Sequence, residues 1–228
     1  GHTYAYPRSI DIHNGHLYSG TNYGLFTQNL STGASKICPG TNRNEWRYSY
    51  TITGSGSYLY SHYSYRMYRG TLTSSGSNLC PTSVKNFYDS SMSYGYGMTA
   101  HPTNPNELYF MSRGRNAIYK ITVNSNGTGR TINWQKGRYG YNKTSTATQN
   151  YFYYPWGIHY DDDNDRLIVS GYNAKKIQVF DSDGVFIKDK GGVAATTRMA
   201  AAHAAIKAIV TDSNLTSGVN FGFGYWSS

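Results

Sequence analysis

Pro155-Trp156-Gly157-Ile158-His159-Tyr160, Asp161-Asp162-Asp163-Asn164-Asp165, Arg166-Leu167-Ile168-Val169-Ser170, Gly171-Tyr172-Asn173, Lys176-Ile177-Gln178-Val179-Phe180, Asp181-Ser182-Asp183-Gly184 and Val185-Phe186-Ile187 follow one another along the chain and decide its fold. Strand-length apolar runs alternate with Asp/Asn/Gly clusters, the pattern of strands joined by tight turns. The stretch reads as a four-stranded antiparallel meander. A hairpin alone is marginal in water, so such a unit must cover its apolar faces with neighbours.

Neighbours of the same kind are visible upstream. Gly15-His16-Leu17-Tyr18, Ser57-Tyr58-Leu59-Tyr60 and Glu107-Leu108-Tyr109-Phe110 correspond to Arg166-Leu167-Ile168-Val169, and the aligned leucines are spaced by 42, 49 and 59 residues. This gives repeats over 6–41, 45–83, 93–133 and 151–190, with inner strands expected at Ser9–His13, Tyr48–Ile52, Met98–His101 and Pro155–Tyr160. The extra residues before the fourth repeat, 137–149, are polar and read as a rim segment. Four-stranded units at this period predict a β-propeller over 1–192. From Ala194 the period changes. Met199, Ala202, Ile206 and Ile209 recur at helical spacing among alanines. Val219, Phe221, Phe223 and Tyr225 then alternate. The expected fold class is therefore all-β, a β-propeller built of four-stranded meanders, with a C-terminal α-β segment over 193–228.

Composition narrows the setting. The 228 residues hold 24 tyrosines, 21 Lys plus Arg and 12 acidic residues, for a net charge of +9. Polarity comes mostly from Ser, Thr, Asn and Gly. Tyrosine supplies ring area that packs while its hydroxyl reaches water. No stretch approaches the roughly 18 apolar residues that span a bilayer. The chain begins Gly1-His2-Thr3 without a methionine, which reads as a processed or excised product. Cys38 and Cys80 each precede a proline, occupy equivalent places in adjacent repeats and lie 42 residues apart. A disulfide between them fits an extracellular protein, although spacing alone does not establish the side-chain geometry.

The fourth repeat resembles the NHL type, from Pro155-Trp156-Gly157-Ile158 through Lys175-Lys176-Ile177-Gln178-Val179-Phe180-Asp181-Ser182-Asp183-Gly184. That likeness is good over Tyr154 to Lys188 and thinner upstream. It implies a propeller, and NHL propellers serve both binding proteins and some enzymes. Thr197-Arg198-Met199, the alanine-rich run through Ile209 and Val219-Asn220-Phe221-Gly222-Phe223 resemble the first helix and next strand of a von Willebrand factor A domain, as in pilus-tip adhesins. The Asp-x-Ser-x-Ser metal loop of that family is missing. The alternative for this tail is a helix and strand packed beneath the propeller.

Candidate sites follow from residue chemistry. Exposed aromatic rings beside arginines suit sugar faces or protein partners, and Tyr63, Tyr65, Trp134, Tyr153, Trp156, Arg113 and Arg115 are the expected binding surface. His13, His101 and His159 fall on or just after inner strands, where convergent imidazoles would hold zinc or copper. The Asp161–Asp165 run offers oxygen ligands but lacks the late glutamate of an EF-hand loop, since position 12 counted from Asp161 is Tyr172. It reads as a solvated hairpin turn, with calcium as the alternative. No Gly-x-Ser-x-Gly elbow and no phosphate-binding Gly-Lys-Ser/Thr occurs. The dispersed basic residues make single-stranded nucleic acid a weaker alternative to acidic glycans or a charged cell surface. The expected function is a non-catalytic binding or adhesion module of a secreted, cell-surface or pilus-associated protein. Its partners would be a host or cell-surface protein or glycan, or other pilus subunits, with no cofactor. Two alternatives stand beside it: a metal-dependent propeller enzyme using the channel histidines, and a structural module of a filament or assembly.

Overall fold

The computed structural model describes residues 6–39, 46–73, 79–137 and 152–191. These form four antiparallel sheets, each of four strands in chain order. The first blade holds β1 (Ser9–His13), β2 (His16–Thr21), β3 (Gly24–Asn29) and β4 (Ser35–Ile37). The second holds β5 (Thr51–Ser55), β6 (Tyr58–Tyr63), β7 (Arg66–Leu72) and β8 (Pro81–Tyr88). The third holds β9 (Gly95–Ala100), β10 (Glu107–Ser112), β11 (Ala117–Val123) and β12 (Arg130–Gly137). The fourth holds β13 (Pro155–Asp161), β14 (Arg166–Gly171), β15 (Lys176–Asp181) and β16 (Phe186–Gly191).

Local chemistry sets the meanders. Asn14 and Gly15 adopt φ of 49° and 71° between the paired His13 and His16. Two successive positive φ values match the right-handed twist of flanking strands, which is why Asn-Gly closes this hairpin. In the fourth blade the Asp181 carboxylate accepts the N–H groups of Asp183 and Val185, and Gly184 takes φ 75°.

The blades stack face to face through their inner strands, β1 on β5, β5 on β9 and β9 on β13. Three apolar seams result. Tyr18, Leu25, Trp46, Ile52 and Leu59 fill the first; Tyr60, Met67, Met98, Leu108 and Phe110 lie in the second; Tyr109, Met111, Tyr160, Leu167 and Phe180 lie in the third. Strand β10 shows the logic, since Leu108 and Phe110 face the second blade while Tyr109 and Met111 face the fourth, and all four are fully buried. Both faces of a middle blade are covered, so its central strand reads as a continuous apolar run.

Polar and covalent ties reinforce the seams. Arg69 of β7 donates to the carbonyls of Asn124 and Ser125 in the third blade, and the Tyr60 hydroxyl donates to Pro105 O at 2.9 Å. Cys38 and Cys80 form a disulfide joining the first blade to the second, with Cα atoms 5.6 Å apart.

The expected fold class needs one correction. The sheets and their radial packing are as predicted, but the described chain is all-β. Its only helical element is the three-residue 3₁₀ turn Ser90–Met92, and no α-helix occurs among the described residues. The α-β segment expected over 193–228 lies outside the described residues. Residues 138–151, which include the expected rim segment, also lie outside them.

Candidate binding face at the channel mouth

Antiparallel order places two features at the same end of every blade: the residues leading into the inner strand and the hairpin between the second and third strands. In three successive blades the chain turns into the inner strand through a tyrosine in the left-handed region, Tyr48 (φ 64°), Tyr94 (φ 49°) and Tyr154 (φ 48°). Bulky residues rarely adopt positive φ, and each such residue costs roughly 1–3 kcal/mol. A repeated hydrogen bond holds them. The amide of Tyr48 donates to Thr21 O, that of Tyr94 to Ser64 O and that of Tyr154 to Asn116 Oδ1, each in the preceding blade. The carbonyls of Tyr94 and Tyr154 accept from Arg113 N and Tyr172 N of their own blades, both at 3.1 Å.

Two residues further on stand Tyr50, Tyr96 and Trp156. Tyr50 stacks on Tyr96 at 4.7 Å, and Tyr96 packs on Trp156 at 4.9 Å. Tyr63 extends this row beyond Tyr50, and Tyr172 extends it beyond Trp156. The row therefore crosses three blades. In the first blade Arg8 takes the equivalent place, with its guanidinium 5.2 Å from the Tyr48 ring. Arg113 sits among Tyr96, Tyr154 and Trp156 at 4.9, 4.8 and 5.3 Å and donates to the Tyr96 hydroxyl. Cation–π contact on several rings fixes its position without neutralising its charge.

Across the third blade, from Tyr65 of the second to Tyr154 of the fourth, these residues border a groove of about 570 Å³ that Tyr94, Tyr96, Arg113 and Arg115 also line. The four inner strands also line a channel cavity of about 310 Å³. Asp11 lies on its wall and accepts the Gly54 N–H at 2.6 Å. Burial raises its carboxyl above the usual range, and that hydrogen bond opposes the rise.

Charge is divided between the two ends of the blades. Asp161, Asp162, Asp163, Asp165, Asp181 and Asp183 lie in or beside the fourth-blade turns facing away from the mouth. Arg8, Arg47, Arg66, Arg113 and Arg115 stand at the mouth, and none of them forms an ion pair among the described residues. Asp89, near the mouth, is held by Arg130.

Most of the expected binding residues meet here. Tyr65, Arg113 and Arg115 line the groove, Tyr63 and Trp156 belong to the stacked row, and Tyr153 stacks on Tyr154 at 4.7 Å. Trp134 does not join them. It packs against Tyr109 in the seam between the third and fourth blades and donates Nε1–H to Ser182 O. The three candidate metal histidines also remain apart. His13 bonds Gly56 O across the first seam, His101 lies beside Glu107 and the Tyr109 and Tyr160 rings, and His159 is exposed on β13. Among the described residues no three His, Cys, Asp or Glu side chains come together as a ligand set. In the aspartate run, Asp161 accepts from Asn164, and Asp165 accepts from Tyr160 and Ser182, which ties the hairpin together.

Sequence reasoning missed Tyr94 and Tyr96 and gave no role to the left-handed tyrosines. The signal was available in the alignment of repeats, where Tyr6-Pro7-Arg8, Tyr48-Ser49-Tyr50, Tyr94-Gly95-Tyr96 and Tyr154-Pro155-Trp156 fall in register.

No family model matches the chain, and no curated protein matches it in sequence. Solved structures do resemble it. A functionally unknown protein from Desulfotomaculum acetoxidans shares 14% identity at a TM-score of 0.56, over 80% of this chain and 55% of that one. Virginiamycin B lyase from Staphylococcus aureus, selenomethionine-substituted, shares 16% at a TM-score of 0.52, over 79% and 54%. A catalytically inactive variant of that lyase, solved with quinupristin, shares 18% at 0.53, over 80% and 55%. At these identities the likeness shows the fold, a β-propeller. The chain spans about half the length of these structures.

Proposed function

We propose that this chain is a binding module whose channel mouth holds a glycan or protein partner at a cell surface. The observation that carries this reading is the row of rings from Tyr63 to Tyr172, set among arginines that pair with no carboxylate among the described residues. Amphipathic rings give contact area at low ordering cost, and rigid blades hold them in place. The Cys38–Cys80 disulfide supports an oxidising, extracytoplasmic setting. The test is an array of surface glycans and surface proteins probed with the wild type and two double variants. Binding should vanish in Tyr94→Ala/Arg113→Ala and persist in Asp162→Asn/Asp183→Asn, which alters the opposite end. Equal loss in both would refute the mouth as the site.

A second reading is an enzyme acting at the same mouth. Its support is the likeness to a propeller lyase solved with quinupristin, together with His159 exposed on a channel-lining strand. The two readings separate on one measurement. Mass spectrometry of any array ligand after incubation shows new products for an enzyme and intact ligand for a binding module.

A further inference from the structure

We infer that the mouth takes an acidic sugar chain, a carboxylate-bearing oligosaccharide laid across the stacked row with its carboxylates on the arginines. This inference rests on the mouth being the binding face and names the chemistry it selects.

Charge supplies the first argument. Five guanidiniums gather at one end, while the aspartate-rich turns occupy the other. Such separation attracts an anion to the mouth and orients it during approach. Arg113 is positioned by three rings and by its donation to Tyr96, and Arg115 by donation from its Nε to Ser90 O. Remaining N–H groups of each guanidinium point to no carboxylate of the described chain. The planar fork matches a carboxylate in two parallel hydrogen bonds.

Ring availability supplies the second. A single-stranded nucleic acid needs a series of open ring faces on which successive bases stack. Here many faces are already spent on each other or on Arg113, as in the pairs Tyr50–Tyr96 and Tyr153–Tyr154. Tyr94 and Trp156 nonetheless remain half exposed, at 51% and 48%. A sugar ring has one apolar face to lay on such a surface and hydroxyls to pair with its edges. The groove of about 570 Å³ lies beside them.

The test uses the full chain and three probes: an oligouronate, its neutral analogue with each carboxylate reduced to hydroxymethyl, and oligo-dT of matched length. Calorimetric titration at low and at physiological salt should show the oligouronate binding at least ~10-fold more tightly than the neutral analogue, the loss expected when a charge-assisted hydrogen bond is removed. Arg113→Gln should weaken the oligouronate by about 10-fold, more than it weakens the neutral analogue, and reduce the salt dependence of oligouronate binding. Trp156→Leu, at a half-exposed ring, should weaken both sugars with an unchanged melting temperature. Equal binding of charged and neutral sugars overturns the inference and leaves the mouth as a binding face. Tighter, Arg113-dependent binding of oligo-dT overturns it in favour of nucleic acid. Oligouronate binding insensitive to both variants overturns the inference and the mouth together.

Discussion

The Cys38–Cys80 bond closes a loop between the first two blades, and removing it should loosen one seam before the others. The cysteines are 42 residues apart. Chain-entropy bookkeeping for a loop of that length gives about 4 kcal/mol of stabilisation at room temperature. Cys38 is fully buried in the seam formed by Tyr18, Leu25, Trp46 and Leu59. Alanine is therefore the right replacement, because a serine hydroxyl there would add its own cost as an unpaired buried group. With a guanidinium m-value of about 4 kcal/mol per molar, the Cys38→Ala/Cys80→Ala variant should unfold at a midpoint lower by about 1 M. Blades interact chiefly with neighbours, so the effect should also be local. Hydrogen exchange should quicken in β1–β4 and β5–β8 and change little in β13–β16. Reducing agent on the wild type should reproduce both results. A midpoint shift below about 0.2 M, or a uniform loss of protection across all four blades, would refute the reasoning.

Other perturbations test other parts of the fold. His62 is fully buried beside Phe110, and burial depresses its pKa to about 3 from 6.5. The folded value lies below the unfolded one, so stability is full above pH 6.5 and falls as the unfolded chain takes up a proton between pH 6.5 and about 3. The loss should reach about 3 kcal/mol at pH 4.5 in denaturant titrations, and His62→Gln should flatten that limb of the profile. Gly95→Ala would place a Cβ 2.3 Å from Phe110 Cζ and 2.7 Å from His62 Nδ1, so its melting should report about 1–3 kcal/mol of overpacking. Tyr94→Gly relieves a left-handed tyrosine whose ring is half exposed. Chemical denaturation should show unchanged or higher stability, by up to about 1 kcal/mol, while array binding falls.

The fourth blade was legible because its turns carry Asp and Gly at the required places and its strands carry Ile, Val and Phe. The second and third inner strands were misplaced, expected at Tyr48–Ile52 and Met98–His101 but found at Thr51–Ser55 and Gly95–Ala100. Two physical facts hid them. Tyrosine carries no signature for the left-handed region that Tyr48 and Tyr94 occupy. Gly95 and Gly97 look like strand breakers, yet the inner strands need them, since a Cβ at Gly97 would meet Met111 Cε at 2.7 Å. Trp134 was expected on the binding surface as an aromatic among polar residues, but β12 leans on the Ser182 turn of the next blade. His13 and His101 share a repeat position, His159 stands two residues earlier in its own blade, and none shares a destination. Equivalent places in successive blades are separated by the channel, and His13 and His101 turn into different seams.

Tyrosine takes two separate positions in this fold, and its place along the strands decides which. Tyr18, Tyr60 and Tyr109 occupy second strands and point into the seams between blades, and all three are fully buried. Burial pushes the Tyr18 and Tyr60 hydroxyls up to about 12, and it lifts Tyr109 further with help from the neighbouring Tyr160. These rings hold the blades together and are unavailable to any ligand. Tyr94, Trp156 and Tyr172 stand at the mouth and remain about half exposed. Little of the seam area depends on them, so their substitution should alter recognition with small effect on unfolding. The reverse holds for Tyr109, where replacement by alanine should cost about 3–5 kcal/mol before recognition can be measured at all. On the proposed reading, a chain with 24 tyrosines separates stability from binding by geometry. A mouth variant that unfolds the blades, or a seam variant that changes selectivity at unchanged stability, would contradict that division.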